Sequence, residues 1–193
     1  CGMFQGGRDA DEKNAGALDF DAATLDFVVL THAHIDHSGL LPRLTARGFR
    51  GPIYATPATA DLAGVMLPDS AHIQEKESEW QLRHQRRRGG SSSMQPPLYT
   101  VAQAEASLKL LRPAPYRELI HPTETVAVNF HDAGHILGSS WLEVTVSGAG
   151  RPRRGEAAHH RSSPAIGGTV VACSAAAVFA GAFHLPAARA LTG

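Results

Sequence analysis

The chain has 193 residues, enough for one substantial core. Eighteen Lys and Arg balance eighteen Asp and Glu, so net charge gives no electrostatic argument for a nucleic-acid partner, although a neutral protein can carry a local basic groove. Two cysteines, Cys1 and Cys173, cannot make a disulfide framework, which fits a reducing cytoplasm, and no basic segment followed by an apolar run opens the chain, so no secretory signal is expected.

In chain order, Cys1-Gly2-Met3-Phe4-Gln5-Gly6-Gly7 reads as the exit of a strand whose body lies upstream, so the chain is expected to be a piece of something longer. Residues 8–24 are polar and rich in Asp and Ala, a loop with one helical turn. Leu25 to Leu30 is an apolar run with β-branched Val28 and Val29, the pattern of a buried strand. It feeds directly into Thr31-His32-Ala33-His34-Ile35-Asp36-His37-Ser38-Gly39, where three imidazoles and a carboxylate lie within six residues. A buried strand fixes the backbone, and the turn after it can aim several side chains at one place. These N and O donors suit Zn²⁺, and a merely solvated histidine-rich loop fits poorly with such spacing after an apolar strand.

A short helix over residues 39–44 and a strand over 52–56 follow. Pro57 leads into a helix with Ala58, Leu62, Val65 and Met66 on one face, and a second helix is predicted from Ser70 to His84. In the latter, Glu75, Glu77 and Glu79 come early and Arg83 late, which suits the helix dipole. His72, with Asp69 and Glu75 nearby, is a weak secondary metal motif and reads better as a helix-surface histidine. Arg86-Arg87-Arg88-Gly89-Gly90-Ser91-Ser92-Ser93 is a solvated linker closed by Pro96-Pro97. A third helix spans Val101 to Leu111, with Ala104, Leu108 and Leu111 at helical spacing. The alternating run 124–130 is a strand that delivers His131-Asp132-Ala133-Gly134-His135, and Trp141 to Val146 is the next strand. Strands alternating with helices indicate a layered α/β domain.

At Ser147 the character changes, and residues 147–193 form an Ala/Gly/Arg/Pro-rich tail that is expected to lie outside the domain of residues 1–146. Ile166 to Leu185 has the length of a membrane span, but its Ala and Gly content makes it only weakly hydrophobic, so no membrane partner is expected. The abrupt shift resembles out-of-frame translation of a GC-rich gene.

The pattern His32-x-His34-x-Asp36-His37 resembles the signature of the metallo-β-lactamase fold superfamily. Cys1-Gly2-Met3-Phe4-Gln5-Gly6, Gly51-Pro52-Ile53-Tyr54-Ala55-Thr56, Asp69-Ser70-Ala71-His72-Ile73-Gln74-Glu75 and Asp132-Ala133-Gly134-His135-Ile136-Leu137-Gly138-Ser139 are similar to bacterial members of its β-CASP branch of RNA-processing nucleases. The resemblance covers residues 1 to about 146. It implies an αββα sandwich, here incomplete and roughly its N-terminal half. It also implies that His32, His34 and His135 bind a first zinc, while Asp36 and His37, the catalytic pair, help bind a second. The physical reading agrees: His32 and His34, two apart at a strand exit, can share one ion, and Asp36 and His37 open the next helix, displaced toward a second. Gly134 and Gly138 suit a tight turn beside a metal centre. His131 also sits at a strand end but matches the family less well, and Asp132 fits an outer role, orienting an imidazole.

The departures bear on function. A strand ending in Ser-Gly-Asp, whose aspartate bridges the metals in the family, should follow Val146 and does not. The RNA-clamping insertion and the late histidine of the second site are also missing. Glu156, His159 and His160 lie near the expected place, but their surroundings offer no strand to hold them. The resemblance therefore implies a zinc-dependent ribonuclease, cleaving RNA phosphodiesters with a metal-activated hydroxide between two zincs in an intact relative. In this chain one zinc is expected to bind tightly and turnover to be impaired. The alternatives are another hydrolase of the same fold, acting on a small ester, thioester or phosphodiester, and a non-catalytic zinc-binding module.

Overall fold

Strand β1 (Leu25–Val29) is buried on both faces, and the layers of the molecule are built around it. The computed structural model describes residues 1–6, 9–88, 96–147, 168–172 and 177–180. Phe27 and Val29 of β1 point into one apolar cluster, while Val28 and the following Leu30 point into another. A continuous apolar run is what a strand covered on both sides requires.

β1 pairs in parallel with β2 (Ile53–Ala55), which pairs in parallel with β3 (Leu111–Pro113). The connections between them carry the helices: α2 (Ile35–Ser38), α3 (Leu41–Ala46), α4 (Pro57–Arg88) and α5 (Val101–Leu108). Leu41, Leu44, Leu67, Ala71 and Ala104 from these helices close over Val28, Leu30 and Ile53 to form the first cluster. α5 starts at a capping box, the Thr100 hydroxyl accepting from the Gln103 amide and the Gln103 side chain answering the Thr100 amide. Ahead of β1 lies a further helix, α1 (Ala10–Gly16).

The second sheet is antiparallel: β4 (Leu119–Thr123), β5 (Val126–Asp132) and β6 (Ser140–Val146), in that order. Val126, Val128 and Phe130 of β5 alternate inward, as do Leu142, Val144 and Val146 of β6, and together they pack on Phe27 and Val29. The described residues thus form three layers, helices on sheet on sheet, consistent with part of an αββα sandwich. Two stretches of the tail join at backbone level: β7 (Gly168–Ala172) beside β6 and β8 (Ala177–Ala180) beside β1. The remaining tail, including Glu156, His159, His160 and most of 166–185, and the linker residues 89–95 lie outside the described residues. Among the described residues, no helix is long and apolar enough to cross a membrane.

Four sequence expectations need correction. The two helices expected over 57–84 are one, α4, which runs through Pro68. Pro68 deletes one backbone hydrogen bond, but Leu67 and Ala71 on either side are buried against the sheet and hold the helix together. Val65 is 69% exposed and so is not on the core face. The expected third helix stops at Leu108, because residues 111–113 pair with β2 instead. The strand expected from residue 124 begins at Val126, with 124–125 turning a hairpin from the unexpected β4.

The layering predicts that Phe130→Ala, at a fully buried position, lowers the unfolding free energy by about 3–5 kcal/mol. Val65→Ala should change it by less than about 0.5 kcal/mol. Denaturant titration of both variants checks this, and comparable losses would contradict the assignment.

Candidate metal centre

At the end of β1, the Thr31 carbonyl accepts from both the amide (2.9 Å) and the hydroxyl (3.0 Å) of Ser140, the first residue of β6. This joint ties the exit of one sheet to the entry of the other. His32 and His34 follow Thr31, and the loop 133–139, which carries His135, precedes Ser140. The imidazoles meet there because both chain segments are anchored at one point.

The donor nitrogens of His32, His34 and His135 all lie within 4.8 Å of one another. His135 Nε2 is 3.3 Å from His34 Nδ1, and the His32 ring centre is 5.0 Å from that of His34 and 5.2 Å from that of His135. His32 is only 3% exposed; its Nδ1 meets the Thr31 hydroxyl at 3.1 Å. Its Nε2 is buried, with no hydrogen-bond partner among the described residues. Buried polar atoms rarely go unpaired, and an orphaned imidazole nitrogen among two further imidazoles is what a cation-ligating set requires. The residues therefore fit a divalent metal.

Asp36 and His37 lie on α2 beside this group. The His37 ring centre is 4.2 Å from that of His32, and its Nε2 is 3.4 Å from the exposed Asp36 carboxylate. The turn is braced by the Ser38 hydroxyl, which donates to the carbonyls of Ala33 (2.8 Å) and His34 (3.1 Å). Residues 1–3 brace it from outside. The Met3 amide donates to the Ile35 carbonyl at 3.0 Å and the Leu40 amide to the Cys1 carbonyl at 2.7 Å. A Cβ on Gly2 would fall 1.5 Å from the Asp36 carbonyl oxygen, so only glycine passes there.

Burial, followed by the nearby His37, His34 and His135, pushes His32 down to about 4. Burial also lowers His37, against the partial opposition of Asp36. His32 is therefore neutral near pH 7, the form that ligates metal.

The structure keeps the other sequence candidates apart from this group. His131 lies on β5, stacked on Trp141 with ring centres 4.0 Å apart and its Nε2 3.2 Å from the Glu143 carboxylate. Asp132 accepts from the Gly134 amide at 2.8 Å, shaping the loop backbone rather than contacting an imidazole. His72 is exposed on α4, and nearby Glu75 accepts from the Val101 amide. Sequence reasoning missed the hydroxyls of Thr56, Thr59 and Ser140, which hold the two segments, and those of Thr31 and Ser139, which bond His32 and the amides of the loop; nothing in their residue type shows what they bond.

The exit of β1 and the loop between β5 and β6 thus bring three imidazoles to one point, a group that could hold a metal ion. Residues 1–71 match the family model for the metallo-beta-lactamase superfamily, and this stretch of the chain carries a domain of that superfamily. It is 36% identical over 151 residues to "Ribonuclease TTHA0252" of Thermus thermophilus, covering 78% of this chain and 29% of that protein. It is 33% identical over 150 residues to "Transcription termination factor FttA" of Methanothermobacter thermautotrophicus, covering 76% of this chain and 21% of the other. The chain thus spans less than a third of the length of these relatives. Solved metallo-β-lactamases are more distant: MEM-A1, a subclass B3 enzyme isolated from a soil metagenome library, gives a TM-score of 0.41 at 16% identity over 74% of this chain and 44% of that one, too loose to inform the site.

The direction of the His32 shift sets a pH dependence. Its folded value lies below the unfolded value of 6.5, so the unfolded chain takes up the proton first. Its contribution is complete above about 6.5 and is lost as pH falls toward 4. The thermal midpoint of metal-free protein, followed from pH 7 to pH 4, should drop more steeply in wild type than in His32→Gln; equal slopes would contradict the assignment.

Proposed function

We infer that this chain carries the metal-binding part of a zinc-dependent hydrolase of the β-CASP ribonuclease type, with residues 1–146 as the functional unit and RNA as the substrate of the intact protein. The observation that carries the reading is the buried, partnerless Nε2 of His32, set among imidazoles contributed by two different sheets. The names of the relatives, a ribonuclease and transcription termination factors, support RNA over a small-molecule substrate. The two cysteine positions and this kind of substrate both suit a cytoplasmic setting.

His32, His34 and His135 would hold the first zinc, and Asp36 and His37 would contribute to a second. Bound zinc supplies Lewis acidity, making water nucleophilic near neutral pH and offsetting charge on phosphoryl oxygens. The chain's own residues prepare this. With Nε2 committed as a ligand, Nδ1 of His32 carries the ring proton and donates it to the Thr31 hydroxyl, which fixes tautomer and ring plane. Asp36, beside His37, favours the charged form of that imidazole and thereby opposes its desolvation. The exposed Asp36 and His135 leave the group open to solvent on one side, where a phosphodiester can approach. Three imidazoles are a sufficient ligand set for one zinc, whereas Asp36 and His37 alone bind a second weakly, so this chain by itself should turn over little RNA.

Elemental analysis after dialysis is expected to give one zinc per chain, and His135→Ala should lose it while far-UV circular dichroism is unchanged. Two stoichiometric zincs, or none, would overturn the reading. In a longer protein containing this segment, the same substitution should slow RNA cleavage by more than about a hundredfold. That protein should cleave RNA in preference to a small chromogenic phosphodiester; the reverse preference would favour the small-molecule hydrolase.

A further inference from the structure

His135 is the exposed member of the imidazole group and comes from a loop rather than from the strand end that holds His32 and His34. Its side chain reaches them only if the loop 133–139 is held at a fixed distance from the first sheet. Two sets of hydroxyls do this. The Gly138 carbonyl accepts from Thr56 Oγ1 at 2.6 Å and from Thr59 Oγ1 at 2.8 Å, both from buried side chains at the start of α4. Gly138 lies so close that a Cβ there would be 2.4 Å from the Thr59 amide nitrogen. Within the loop, buried Ser139 Oγ accepts from the amides of His135 (3.0 Å) and Ile136 (3.1 Å). The Ser139 carbonyl in turn accepts from the Tyr116 hydroxyl at 2.8 Å.

The Gly138 carbonyl has two lone pairs, and the two threonine hydroxyls, 3.0 Å from each other, both reach it. Among the described residues, this hydroxyl set, the Ser140 joint and the contact of His135 Nε2 with His34 Nδ1 tie the loop to the sheet that carries the other two imidazoles. We propose that Thr59 and Ser139 are positioning residues for metal: they set the place of the His135 imidazole without themselves reaching the ion. The proposal rests on the reading of His32, His34 and His135 as a metal centre. Thr56 shares the contact but also caps α4, its hydroxyl accepting from the Thr59 amide, so its removal would mix two effects.

The test uses Co²⁺ as the probe, with affinity read by competition against a chromophoric chelator and ligand set read from visible absorption. Thr59→Val and Ser139→Ala are each expected to weaken Co²⁺ binding about 10- to 100-fold. Their spectra should move toward that of His135→Ala. Thr59→Ser, which keeps the hydroxyl, should stay within about threefold of wild type. A purely structural role would lower the thermal midpoint of the metal-free protein and leave the affinity and spectrum of the folded fraction unchanged. That result overturns the proposal while leaving the metal centre intact. If wild type and His135→Ala bind Co²⁺ equally, the metal-centre reading itself fails and the proposal with it. Should a truncation prevent folding, Tyr116→Phe, which removes one donor to the loop and no core volume, is read in the same way: weaker binding supports the proposal, unchanged binding refutes it.

Discussion

The Thr31 carbonyl, receiving both the amide and the hydroxyl of Ser140, is the contact on which the rest of the site depends. β1 belongs to two layers at once, with Phe27 and Val29 in the interface between sheets and Val28 and Leu30 beneath the helices. Any displacement at its exit is therefore felt on both sides. Close packing transmits such a displacement rather than absorbing it. A carbonyl at that exit, bonded to the first residue of β6, converts the alignment of two sheets into the spacing of three imidazoles. The core and the site share one constraint.

That arrangement has a cost in the metal-free chain. Leaving one imidazole nitrogen buried without a partner costs about 1–3 kcal/mol. His32 bears that cost, and the crowding of four rings further disfavours a second proton on it. The surroundings compensate with hydrogen bonds to fixed backbone carbonyls: Ser38 on Ala33 and His34, Ser140 on Thr31, and the two threonines on Gly138. Hydroxyls suit this task because each both donates and accepts and carries no charge to bury. Local conflict held in place by a satisfied frame is what a ligand-binding position in an otherwise consistent fold looks like.

How much of this was legible in the sequence depended on the physical signal. β1 was legible because a strand covered on both faces is apolar throughout, and the inward alternation of β5 and β6 was equally plain. β3 and β4 were not, since each is short, lies at an end of its sheet's described order or beside a turn, and contains a proline that weakens any strand pattern. The split of α4 at Pro68 followed local propensity, which the buried Leu67 and Ala71 override. His32 and His34 stood out by chemistry and spacing alone. His135 did not: at the residue level His131 had the same claim, and only the resemblance chose between them. The structure gives the reason. His131 is still within the strand and pairs across to Trp141, whereas His135 lies beyond its end, on a loop free to turn toward the first sheet. Nothing about a serine or threonine in sequence announces that its hydroxyl will hold that loop.

Asp36 and His37 show how unevenly the two halves of the site are built. Of the first three imidazoles, two follow the exit of β1 and one comes from the loop between β5 and β6, with a hydrogen-bonded joint between the two segments. The second pair rests on α2, a helix of four residues, too short to be stable on its own. Its support comes from the Ser38 hydroxyl on one side and, on the other, from residues 1–3, which lie against the helix backbone so closely that Gly2 admits no side chain. The His37 ring is near enough to His32 to share its environment, yet its nitrogen faces the Asp36 carboxylate at 3.4 Å rather than the other imidazoles. A cation at the first position meets donors already converged. One at the second must draw apart an Asp–His pair held on a marginal helix, with no further ligand among the described residues. On the proposed reading, weaker binding at the second position would follow from what each is anchored to, before any difference in ligand number is counted.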